Sequence, residues 1–442
     1  MKKITTLIII LCICAISANA AQDGSWALTT GGDYSVPGNW VDGNIADDST
    51  SVANFTNAIT AFAEIIFQTN RTIGTLNFSG EGDQWWFNGS ENTLTLDNGG
   101  TKPIIDVGGN LWGATINANL SGNDGFTKTG SKILNLYYSP INGDINIQEG
   151  SLRLGWENPL PNISNITAGT SGTLIIGETN TINCPLILNH HDADINAFGL
   201  DVEAGKVCNI NSNIIMKANA GLMTTGNGAV LNLNSPISGA YSLRLTGRAV
   251  DADIATFNIN AVNSYFSNTT FSTWGSNPRF ELNVNQGIPL NANERNLTLE
   301  VYNSSANSSV TFDLNDKTQK ISSLFVALHG GQSGHEAIIT GSEAGVLEIT
   351  NTFTSWESAP GTVIKQTGGN IKKSADINKI RNCSVFYFPI IKTTALHFKI
   401  PTSDSSNAIS WSNSRTRSNY KIRSSSIFPA KKPSSAYFSA RF

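Results

Sequence analysis

The chain has 442 residues, a formal net charge of −4, 14% charged residues and 40 glycines. That length is ample for a large buried core, and the near-neutral balance excludes the broad basic surface on which nucleic-acid binding depends. Low charge with abundant Gly, Asn, Thr, Ser and β-branched residues predicts an all-β chain of many short strands.

Lys2 and Lys3, the apolar run 4–16 and Ala18-Asn-Ala20 read as a secretory signal peptide over residues 1–20. Export is therefore expected, to the cell surface (outer membrane-associated) or the extracellular space. No later stretch is long and apolar enough to cross a bilayer as a helix, so the mature chain is expected to lack a transmembrane helix. Residues 21–65 read as a capping segment: Trp26 and Gly38-Asn-Trp40, set in a Gly/Asn/Asp-rich lead-in, suit a plug for the open end of a stacked fold. The alternative for Trp26 and Trp40 is a small sugar-binding surface.

Residues 66–370 carry degenerate repeats. Thr72-Ile-Gly-Thr-Leu-Asn-Phe78, Thr93-Leu-Thr-Leu-Asp97, Val230-Leu-Asn-Leu-Asn234, Asn296-Leu-Thr-Leu-Glu300 and Val310-Thr-Phe-Asp-Leu-Asn315 alternate with period 2, the mark of a strand with one buried face. Glycines punctuate these runs where a sharp turn needs φ > 0. A spacing of about 20–30 residues belongs to solenoids, and the expected architecture is a right-handed parallel β-helix. Asn at equivalent places in successive coils is expected to form hydrogen-bonded ladders.

The clearest repeat is Gly125-Phe-Thr-Lys-Thr-Gly130, then Ile133-Leu-Asn-Leu136, then Gly143-Asp-Ile-Asn-Ile-Gln-Glu-Gly-Ser-Leu-Arg-Leu-Gly155. This order resembles the autotransporter-associated β-strand repeat of passenger regions in secreted bacterial surface proteins. The resemblance implies a β-helix that works physically, in adhesion or polymer contact. It also implies a C-terminal membrane barrel, for which the last seventy or so residues are too few.

Charge divides the chain near residue 370. Residues 21–370 hold 14 Lys/Arg against 31 Asp/Glu, whereas 371–442 hold 13 against 2. The latter segment reads as a poorly structured, basic, Ser-rich tail, either without a specific partner or touching acidic polymer or the cell envelope.

Candidate chemistry is sparse. Trp85 and Trp86 must face opposite ways on a strand, so the outward one, read as Trp86, is the best sugar-stacking candidate. His190, Asp192 and Asp194 share one strand face and form a weak metal candidate; a polar turn explains them better. Asp251 and Asp253, near Arg244 and Arg248, are the pair that a polysaccharide lyase or glycoside hydrolase would use. Cys184 and Cys208 lie 24 residues apart, about one coil, and either bridge or stay as buried thiols. No catalytic residue and no cofactor is assigned. The whole reads as an exported, non-catalytic β-helix scaffold whose partner is a polysaccharide or the envelope surface; the alternatives are a polysaccharide-active enzyme and a carbohydrate-binding protein.

Overall fold

The computed structural model describes residues 22–373, with short breaks at 138–139, 156–159, 161, 190–197, 249–253, 266, 292–295, 303–307, 330–333 and 358–362, together with 386–387. The fold is a parallel β-solenoid. Each coil runs along three faces, and every named strand pairing between coils is parallel. Among the described residues the only helical turns are two short 3-10 segments, Pro37–Asn39 and Val41–Gly43.

The alternation read from the sequence is what winds the chain. In Val230–Leu233 and Thr256–Ile259 every second residue is buried and the others are partly exposed. The inward residues stack on their counterparts one coil away, so a single apolar column runs the length of the rod. No coil buries its own face; its neighbours do.

The first and second faces belong to one 24-stranded sheet, and from Asn180–Ile182 onward the third face is a separate nine-stranded sheet. In the N-terminal coils the long strands Glu81–Leu96 and Asn110–Ser121 turn the corner without a break, so the third side there stays in the first sheet. The β-bulge between Asn88 and Thr93 accommodates that corner.

Trp26 and Trp40 close the N-terminal end. Their rings meet edge to face at 5.2 Å, Tyr34 packs on Trp40 at 4.7 Å, and Phe55 sits beneath both tryptophans. Trp40 Nε1 donates to the Tyr34 carbonyl at 2.8 Å and Trp26 Nε1 to the Thr30 carbonyl at 3.1 Å. Asn57 ties this plug to the coil below by donating to the carbonyls of Trp26 and Leu28. Both tryptophans are only 2% exposed. The sugar-binding reading of Trp26 and Trp40 is therefore corrected: rings buried against each other offer no stacking face.

The Gly125–Gly130 repeat has a specific structural job. Lys128 points inward, in register between Ile105 and Ile147 of the neighbouring coils, and is fully buried. Its ammonium donates to the carbonyls of Thr129 and Gly130 at 2.6 Å and of Glu149 at 3.1 Å. It thus ties two successive coils at one corner. Gly125 sits at φ +66°, where a Cβ would fall 1.8 Å from the Asp144 carbonyl oxygen. Only glycine fits there.

The expected asparagine ladder runs along the third face. Asn211, Asn234, Asn260, Asn283 and Asn315 each donate to the asparagine one coil before, starting at Asn183, over 2.6–3.2 Å. A shorter ladder links Asn209, Asn232 and Asn258.

Cys208 is in register with Asn180, not with Cys184, and both thiols are free and buried; burial pushes Cys184 up to about 11 and Cys208 up to about 12. The bridge is thereby excluded. The coil register also runs past residue 370, with Asn370–Lys373 pairing on the first face and Phe386–Tyr387 on the third. The rest of the basic tail, and the leader 1–20, lie outside the described residues.

Candidate functional site

The outward side of the second face gathers the polar and aromatic side chains that the core does not use. Near the cap it is aromatic. Trp86 does face outward, while Trp85 is fully buried. Trp86 lies between Phe62, at 5.4 Å, and Tyr137, at 5.6 Å and 31°. The three rings form a strip along the solenoid axis. Phe62 is 51% exposed, and Trp112, on the strand that pairs with that of Trp86, is 78% exposed. The strand pairing explains the spacing: Trp86 is in register with Glu64 on one side and Thr115 on the other. The ring leans over the short Thr115 to reach Tyr137, two coils away.

Farther along, the same face becomes charged. Backbone hydrogen bonds step one outward column from Tyr137 to Gly155, Gly177 and Glu203. The column continues through Thr225, Arg248 and Trp274 by strand register, then to Tyr302 and His329. Arg153 reaches across Gly177 to hold both carboxylate oxygens of Glu203, at 2.7 and 2.8 Å. The Thr225 hydroxyl lies 2.9 and 3.0 Å from the two oxygens of Asp201. Burial pushes the Asp201 carboxyl up to about 6, against the Thr225 bond that favours the charged form.

The densest group surrounds Glu300. Arg244, two coils away, pairs with one carboxylate oxygen at 2.6 Å, and His329 Nε2 lies 3.0 Å from the other. Burial works against the charged carboxylate, but His329 and Arg244 outweigh it and hold the group below the usual range. Beneath Arg244, the Thr246 and Ser272 hydroxyls bond to each other at 2.6 Å. Arg248 lies over the Trp274 ring at 5.0 Å. Tyr302 touches both Trp274, at 6.3 Å, and His329, at 4.9 Å.

Of the sequence candidates, Trp86 lies on this face near the cap and Arg244 and Arg248 lie together on it several coils farther along. His190, Asp192, Asp194, Asp251 and Asp253 lie outside the described residues. Among the described residues no group of three His, Cys, Asp or Glu side chains is arranged to hold a metal. Sequence reasoning missed Phe62, Trp112, Tyr137, Asp201, Glu203, Trp274, Tyr302, Glu300 and His329. One local signal existed: Asp201 and Glu203 show the i, i+2 spacing that puts two carboxylates on one strand face.

Fold and site together define the class: an all-β parallel solenoid of about twelve turns with an aromatic and polar outer face. Comparison with protein-family models, curated proteins and solved structures returns no match.

Proposed function

We propose that this protein is an exported, non-catalytic β-solenoid scaffold of the bacterial surface or extracellular space, similar in kind to autotransporter passengers, that holds polysaccharide against its second face. The observation that carries the proposal is the Phe62–Trp86–Tyr137 strip. Large aromatic rings normally go to the core, and a contiguous exposed set is a marker of a binding surface. Their faces suit the apolar C–H faces of pyranose rings. The rigid rod beneath them holds the rings in place, so little ordering entropy is lost on binding.

Purified mature chain incubated with insoluble polysaccharides, with and without Ca²⁺, tests the proposal. Retention without release of reducing or unsaturated ends is expected. Paired Phe62→Ala and Trp86→Ala substitutions should weaken retention at least about tenfold, the equivalent of ~1.4 kcal/mol. Unchanged retention in that variant, or none in the parent chain, contradicts the proposal.

One observation favours a second reading, polysaccharide cleavage. Asp201 and Glu203 share the outward face, one raised by burial and the other ion-paired with Arg153. Two carboxylates in unlike environments are what acid–base cleavage of a glycosidic bond employs. Reducing-end release that disappears in Asp201→Asn would establish this reading and displace the first.

A further inference from the structure

We infer that the second face carries a second saccharide station, formed by Arg248, Trp274 and Tyr302 beside the Glu300 cluster, and that both stations hold one extended, uncharged glycan chain lying parallel to the solenoid axis. The inference rests on the polysaccharide reading above and adds the site, the ligand's length and its charge.

Register is the first ground. Tyr137, at the end of the aromatic strip, and Trp274 occupy the same outward column, joined coil by coil through backbone hydrogen bonds and strand pairing. Neighbouring strands stand about 4.8 Å apart, close to the advance of one pyranose unit in an extended β-linked chain. A glycan parallel to the axis therefore meets one rung per sugar. The stretch between the stations is low: the column positions at Gly155 and Gly177 carry no side chain, and Tyr137 and Arg153 lean across them.

The second ground is the make-up of the station. Arg248 is exposed, lies over Trp274 and forms no ion pair among the described residues. Tyr302 is 37% exposed. Two rings thus stand with the exposed donor Arg248 beside the ion-paired Arg244–Glu300–His329 group, a mixture of apolar and polar surface that suits a sugar.

Charge selects among glycans. Glu203 is matched by Arg153, and Glu300 by Arg244. Residues 21–370 carry 31 acidic against 14 basic side chains, a field that repels polyanions. A balanced face on an acidic rod admits a neutral chain and disfavours a polyuronate.

The test is calorimetric titration with β-1,4-linked gluco-, xylo- and manno-oligosaccharides of about three and about twelve units, and with oligogalacturonates of matching length, in a range that separates single-site from bivalent binding. The proteins are the parent chain, Trp86→Ala, and a double variant of Trp274→Ala with Arg248→Ala, each checked for an unchanged melting curve. A neutral long chain should bind the parent about 100-fold tighter than the short one, and either variant should remove that gain. The short chain should still bind each variant at its intact station. A long chain that senses Trp86→Ala but not the double variant overturns the second station and leaves the aromatic strip standing. A long chain that senses neither, or no binding by any neutral probe, overturns both readings. Tighter binding of oligogalacturonate overturns the assignment of an uncharged ligand.

Discussion

The two halves of the solenoid share a ring-containing interior but hold the coil in shape by different polar devices. In the N-terminal half the interior is filled by large rings: Trp26, Tyr34, Trp40, Phe55, Phe67, Phe78 and Phe87 form one contact cluster beneath the cap. The coil corner in the next turns is tied by the buried Lys128. In the C-terminal half the third face becomes its own sheet, and its outer side is held by the asparagine ladder from Asn183 to Asn315. Bulk and a plug fix the end of the rod, where a coil has only one neighbour. Where it has two, a shorter stack of buried rings (Phe257, Phe280, Phe271 and Phe312) fills the interior and repeated side-chain bonds hold the outer side.

The largest expected effect comes from breaking the plug. Trp40→Ala should cost about 3–5 kcal/mol, as for other buried large-to-small changes. The loss should appear in hydrogen exchange first in residues 48–96, with the asparagine-ladder coils still protected. Uniform loss of protection along the rod would erase the distinction between the halves.

Lys128→Met comes next. It keeps the apolar stem but leaves three corner carbonyls without their donor, at roughly 1–3 kcal/mol for each one left dry. The substitution also has a pH signature. Burial pulls the Lys128 ammonium down from 10.5 to about 8, against Asp106 and Glu149, which favour the charged form. Between those values the unfolded chain binds more protons than the folded one. The parent's stability should therefore rise with pH across that window. Chemical denaturation from pH 7 to 10.5 should show that rise in the parent and its absence in Lys128→Met.

Asp201 gives the opposite slope at lower pH. Its folded value of about 6 lies above the ordinary carboxyl value of 3.8, so stability should fall as pH rises from about 4 to about 6. Denaturation midpoints of the parent and Asp201→Asn should differ in that slope. The smallest effect belongs to the ladder: Asn234→Ala removes two exposed bonds, the one it donates to Asn211 and the one it accepts from Asn260, and because water can replace both it should cost only about 0.5–1.5 kcal/mol, with no change in the cap.

Much of the fold was legible because its rule is local. Alternation in Val230–Leu233 and the positive-φ glycines such as Gly125 and Gly130 announce strand and turn within a few residues. Coil length is not local, and the cysteines show it. On the third face the step is 28 residues, from Asn180 to Cys208, so a spacing of 24 sets Cys184 beyond its strand instead of opposite its partner. Charge composition is likewise a poor guide to pairing: it shifts at 370, yet Asn370–Lys373 and Phe386–Tyr387 still pair with the preceding coils.

The candidate site was less legible. Trp86 could be read from the pleat because its neighbour Trp85 must face the core. Arg244 and Glu300 are 56 residues apart and meet only because the chain winds two coils from one to the other. Trp26 and Trp40 resemble exposed sugar-binding tryptophans in sequence, yet an open solenoid end needs them more than a ligand does.

The central claim is that ligand binds along the second face and nowhere else on the rod. Hydroxyl-radical footprinting of the mature chain, with and without a soluble neutral β-1,4-glycan, tests it most directly. Protection of Phe62, Trp86, Trp112, Trp274 and Tyr302 is expected, with the asparagine-ladder face unchanged. Protection centred on the third face, or none on these five residues while the chain retains the glycan, would contradict it.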